Sequence, residues 1–125
     1  NIKDQVNFLD KVPYEKIKEV YAKHDILILP SYNEAIGMVV PESMACGMPV
    51  IVSDSVGART FVENGKNGYI FRTFDHKDLA KKIELLKDSK KRNQFSKNAI
   101  EHIRDYHTTK NRSEELYQII TKAVK

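Results

Sequence analysis

Apolar residues fall along this chain in two patterns. Ile26–Leu29 and Val50–Val52 are short continuous runs, as expected of strands buried on both faces. Val6–Leu9 and Tyr69–Phe71 read as two further short strands, the latter entered through the Asn67-Gly68 turn. Between and after them the spacing becomes helical. Pro13 can open a helix at its first position, with Ile17, Val20 and Tyr21 as its apolar stripe. A second helix carries Glu42 and is closed by Gly47 and Pro49. From Asp75 onward the chain reads as three helices, with faces Leu79/Ile83/Leu86, Phe95/Ala99/Ile103/Tyr106 and Leu116/Ile119/Ile120/Val124. Strands alternating with helices predict an α/β fold, a Rossmann-like parallel sheet with flanking helices. The length of 125 residues suits one domain, and there is no repeat, linker or low-complexity tract.

Candidate chemistry concentrates between Ser31 and Val50. Glu34 follows the run that ends at Pro30, and Glu42 lies seven intervening residues further on, inside the second helix. The segment therefore reads strand, loop, helix, strand, and in an open parallel sheet ligands bind at the strand C-terminal ends. Ala35, Ile36 and Gly37 are predicted at the helix start, where unpaired N–H groups favour an anion such as phosphate. Gly37 allows close backbone approach. An ionised carboxylate only accepts hydrogen bonds and so suits sugar hydroxyls, which donate. Amides for phosphate beside carboxylates for hydroxyls match what a sugar nucleotide requires. The plain alternatives are an N-terminal helix acid for Glu34, a solvated helix face for Glu42, and helix–sheet packing for Met44, Ala45 and Cys46.

The block Asn33-Glu34-Ala35-Ile36-Gly37, followed by Pro41-Glu42-Ser43-Met44-Ala45-Cys46-Gly47-Met48-Pro49-Val50-Ile51, closely resembles the retaining glycosyltransferases of the group 1 class (family 4, GT-B fold). The resemblance extends over most of residues 6 to 88, including Ser53-Asp54, Gly57 and Asn64–Gly68. It implies that Glu34 contacts the donor sugar or its phosphate region as the catalytic carboxylate. It also implies that Ala35, Ile36 and Gly37 offer amides to the donor, and that Glu42 holds the nucleotide ribose. No metal and no cofactor is implied. Where the family often has Gly-Gly and a nearby acid, this chain has Val56-Gly57-Ala58, then Arg59, Thr60 and Phe61, with no acid before Glu63.

By this resemblance the chain is the C-terminal, donor-binding part of a two-domain transferase, a fragment beginning at Asn1. The acceptor-side domain, two strands, the basic residues that neutralise the diphosphate and, in some members, a catalytic histidine would lie outside it. The partners implied are a nucleotide-diphosphate sugar and a glycan or lipid-linked acceptor. A non-catalytic nucleotide-binding fragment and a sugar-nucleotide epimerase of the same fold are the alternatives. The family strand order, 3-2-1-4-5-6, would set two absent strands between Val6–Leu9 and Ile26–Leu29. Either Val6–Leu9 moves beside Ile26–Leu29, or that open edge pairs with another copy of the chain.

Composition narrows the setting. Hydrophobic residues at 41% and charged residues at 30% argue against disorder. No apolar run nears the ~20 residues of a membrane span. The single cysteine, Cys46, excludes an internal disulfide and fits a reducing compartment, so the expected location is cytoplasmic. The net charge of +4 owes much to Lys81, Lys82, Lys90, Lys91, Arg92 and Lys97. Their plain reading is a solvated helical face. A patch attracting nucleotide or anionic lipid, the latter placing the protein at the inner face of the membrane, is the other. The four histidines show no metal-ligand spacing and read as surface or hydrogen-bonded. Nucleophile-elbow, Walker and dinucleotide glycine motifs are absent from the sequence, and the aromatics are scattered, so nucleic acid is not an expected partner.

Overall fold

The computed structural model describes residues 2–123. A 3-10 turn at Lys3–Gln5 is followed by helix α1 (Tyr14–Ala22), strand β1 (Leu27–Leu29), helix α2 (Val39–Ala45) and strand β2 (Val50–Ser53). Then come a 3-10 turn (Gly57–Phe61), strand β3 (Gly68–Phe71) and helices α3 (His76–Leu85), α4 (Ser89–Tyr106) and α5 (Thr109–Ala123). The three strands form one parallel sheet in the order β1-β2-β3, with Leu27 opposite Val50 and Val50 opposite Gly68.

The central strand β2 is buried along its whole length, which is why its sequence shows no polar alternation. Its side chains still alternate between faces. Val50 and Val52 join Val40 and Met44 of α2, Ala58 of the turn and Ala99 of α4. Ile51 points the other way and packs with Tyr69, Phe71, Leu86 and Phe95, flanked by Leu79 and Ile83 of α3. α4 thus serves both layers.

Helix ends follow their capping chemistry. Asp75 accepts the Asp78 N–H at 2.9 Å to start α3, and Asp88 accepts the Lys90 N–H at 2.8 Å to start α4. Arg92 Nη1 donates to the Leu86 and Lys87 carbonyls, both at 2.8 Å, closing the end of α3. Lys82 lies over the Tyr69 ring and 3.9 Å from Asp78. Two of the six basic residues singled out above are therefore engaged within the fold.

Four expectations are corrected. Pro13 stands just before α1, at its N-cap, rather than at its first helical position. Val6–Leu9 is not a strand and does not pair with β1. It carries a 95% exposed Phe8, and Asn7, Phe8 and Leu9 border a groove beside Lys16 and Val20 of α1. A strand requires a neighbouring ladder for its N–H and C=O groups, and among the described residues none reaches this segment. β1 is consequently a sheet edge. Tyr106 does not share the buried face of Phe95 and Ala99; it is exposed, with its ring near His102. On α5 the apolar stripe exists but Leu116, Ile119 and Ile120 stay more than half exposed, and Val124 lies outside the described residues. No described helix is long and apolar enough to cross a membrane.

Candidate functional site at the strand C-terminal ends

Because the strands are parallel, their C-terminal ends share one rim, and side-chain hydrogen bonds stitch it together. Ser53 Oγ, at the end of β2, donates to the Ser31 carbonyl just beyond β1. Asp54 Oδ1 accepts the Thr73 N–H at 3.0 Å and the Thr73 hydroxyl, tying the end of β2 to that of β3. These two Thr73 donors hold the Asp54 carboxyl below its usual range. The Asp54 carbonyl in turn accepts Arg59 Nη1, so Arg59 is turned onto the loop backbone. Glu63, the first acid after Asp54, is paired with Lys66 at 2.7 Å in the turn before β3.

The Glu34 loop rests on this rim. The Gly57 N–H donates to the Glu34 carbonyl at 2.9 Å, and Glu34 forms an isolated parallel bridge with Val56. The approach is so close that a Cβ on Gly57 would stand 1.8 Å from the Ala35 carbonyl oxygen. Gly37 has φ +73, in the left-handed region, and a Cβ there would meet Leu29, Ala58 and the Glu34 side chain within 3.3 Å. The chain turns at Gly37 and enters α2 only at Val39, with Met38 as N-cap. The helix therefore begins later than the sequence pattern places it. Ala35, Ile36 and Gly37 precede it as an extended turn, and among the described residues their amides donate no hydrogen bond.

Glu34 is half-buried, and its carboxylate has no partner among the described residues. Glu42 is also half-buried but has one: the Tyr21 hydroxyl of α1 donates to Glu42 Oε2 at 3.3 Å. Burial, then the Glu42 charge, push the Tyr21 phenol up to about 12. The structure thus joins Glu34, Ala35, Ile36 and Gly37 in one loop, and sets Glu42 on the following helix against α1. Exposed Ile36, Met38 and Val39 accompany them. α2 ends as expected, with Gly47 at φ +80 just past its C-cap.

A concavity of about 530 Å³ lies apart from this loop, between the Gly57–Phe61 turn, α4 and α5. It holds a chain of contacts. Arg112 Nη2 is 3.1 Å from His107 Nδ1, His107 Nε2 is 3.1 Å from His102 Nε2, and His102 Nδ1 is 3.8 Å from Glu63. Arginine only donates, so His107 Nδ1 accepts and its Nε2–H faces His102, whose Nδ1–H faces Glu63. Burial, then His102 and Arg112, lower the His107 pKa. A lowered histidine pKa means the unfolded chain binds the proton more readily. Stability should therefore fall as the pH drops below the ordinary histidine value of about 6.5. Denaturation midpoints at pH 7.5 and 5.5, for the wild type and His107→Gln, check this: the variant should lose part of the pH dependence.

Residues 1–102 match the family described as glycosyl transferases group 1. The chain belongs to this family. D-inositol 3-phosphate glycosyltransferase of Thermomonospora curvata is 35% identical over 104 residues, 82% of this chain and 24% of that protein. The chain thus spans about a quarter of the length of the curated relatives it matches. Sucrose-phosphate synthase of Thermosynechococcus elongatus superposes with a TM-score of 0.82 at 28% identity, covering 98% of this chain and 32% of that one. Anabaena HepE, solved in complex with UDP, superposes with a TM-score of 0.70 at 24% identity over 82% of this chain and 29% of its own, a likeness of fold. The fold, a three-stranded parallel sheet flanked by helices, is one shared with GT-B glycosyltransferases.

Two features of the rim escaped the sequence pattern. Tyr21 reads as part of a helical stripe, with nothing local to signal its bond to Glu42 across 21 positions. The Asp54–Thr73 clamp spans 19 positions and carries no motif.

Proposed function

We propose that this chain is the donor-binding part of a retaining glycosyltransferase that moves a sugar from a nucleoside diphosphate to an acceptor hydroxyl. The observation that carries the reading is the Glu34–Gly37 loop, pinned to Gly57 at the strand C-terminal rim, with three amides and a carboxylate that have no partner among the described residues. Such amides suit the charge that develops on a departing diphosphate, and the carboxylates suit the sugar and ribose hydroxyls. HepE, with its bound UDP, supports a nucleotide ligand on this fold. Glu34 takes the sugar end and Glu42 the ribose.

The reading assigns the opposite wall, the acceptor site and further cationic groups for the diphosphate to chain outside these 125 residues. Catalysis then rests on positioning and on stabilising the leaving group in a water-excluded cleft. A nucleotide-sugar donor and the single thiol together suit a cytoplasmic setting. The isolated chain should bind nucleoside diphosphates weakly at best and transfer no sugar. In the full-length protein, NMR of the product should show the anomeric configuration of the donor retained. Transfer by the isolated chain, or an inverted product, would overturn the corresponding part of the reading.

A further inference from the structure

We infer that Tyr21 is a positioning residue for Glu42: its hydroxyl holds one carboxylate oxygen and leaves the other for the ribose 2′- and 3′-hydroxyls of the nucleotide. The inference rests on the ribose-binding reading of Glu42 given above.

Tyr21 is the buried residue of α1, only 8% exposed, so its hydroxyl requires a partner inside the protein. Glu42 Oε2, 3.3 Å away, is that partner. Among the described residues it is the only donor recorded on the Glu42 carboxylate. A carboxylate has about four acceptor sites, so one phenol leaves capacity for a diol. An unrestrained glutamate would have to be ordered on binding, and restraint from a rigid aromatic lowers that cost. The 3.3 Å separation is long for an O–H···O bond, with room to shorten when Glu42 takes a ligand. With the phenol raised to about 12, Tyr21 remains a donor across the physiological range.

Tyr21→Phe removes the hydroxyl and keeps the packed ring. The full-length protein and its variants are titrated with UDP, GDP, ADP and CDP, and the tightest binder is compared with its 2′,3′-dideoxy form. Tyr21→Phe should weaken binding of the ribose form about fivefold and leave the dideoxy form unchanged. In a Glu42→Ala background it should have no further effect. Equal losses for both forms, or a loss that persists with Glu42→Ala, would assign Tyr21 to packing alone and overturn the inference while the site reading stands. If Glu42→Ala retains the full preference for ribose, or the wild type binds none of the four nucleotides, the site reading fails and the inference fails with it.

Discussion

Gly57→Ala should be the most damaging single substitution at the rim. The cause is space and not conformation, because Gly57 does not have a positive φ and alanine could adopt its backbone angles. The added Cβ would stand 1.8 Å from the Ala35 carbonyl oxygen and 2.8 Å from its carbon. Both are backbone atoms, so no side-chain rotation relieves the overlap, and the turn must separate from the Glu34 loop. Separation breaks the 2.9 Å bond from Gly57 to the Glu34 carbonyl and disturbs buried Val56 and Ala58 on either side. Overpacking of this kind costs about 1–3 kcal/mol, and the lost backbone bond about 1 kcal/mol more. Urea denaturation should show a loss of about 2–4 kcal/mol. Nucleotide affinity in the full-length protein should fall more than in proportion to stability, because the loop that carries the amides is what moves. Wild-type stability in Gly57→Ala would show that the two loops are not held together as described.

Glu34→Ala in the full-length protein should act on turnover. The Glu34 backbone carries the bridge to Val56 and the bond from Gly57, and alanine preserves both. Among the described residues the side chain has no hydrogen bond to lose. Stability should therefore change by less than ~1 kcal/mol, as for surface substitutions away from structural features. If the carboxylate contacts the donor sugar in the transition state, kcat should fall about a hundredfold, the scale of removing one preorganised polar group. With the ribose assigned to Glu42 as proposed, nucleoside diphosphate affinity should stay near normal. A raised KM with unchanged kcat would place Glu34 in ground-state binding only. Unchanged kinetics would remove it from the site.

The strands and most helices were legible because burial leaves a direct trace. Val50–Val52 lies between two layers and is uniformly apolar, and Leu79/Ile83/Leu86 faces one of them with helical spacing. Val6–Leu9 is also mostly apolar, with Asn7 as its one polar residue, but a strand is a property of a pair, and the sequence of one segment does not say whether a neighbour is within reach. The same holds for α5, whose stripe of Leu116, Ile119 and Ile120 is periodic yet mostly uncovered. The Glu34–Gly37 loop was legible as a motif, since its residues are contiguous. Its attachment to Gly57 was not, because the backbone contact from Gly57 to Glu34, 23 positions away, is written in the absence of a side chain. The His102–His107 contact was hidden for another reason. A spacing of five is off the helical face, and it closes because α4 ends at Tyr106 and the chain turns at His107.

The central claim is that the donor binds at the rim built by Glu34, Ala35, Ile36, Gly37 and Glu42. Amide NMR of the full-length protein, titrated with the nucleoside diphosphate it binds most tightly, tests this directly. The account predicts that the signals of Ala35, Ile36 and Gly37 shift most, with Gly57 moving alongside them, while His102, His107 and Arg112 stay nearly still. Shifts concentrated on the α4–α5 concavity, with the Glu34 loop unperturbed, would contradict it.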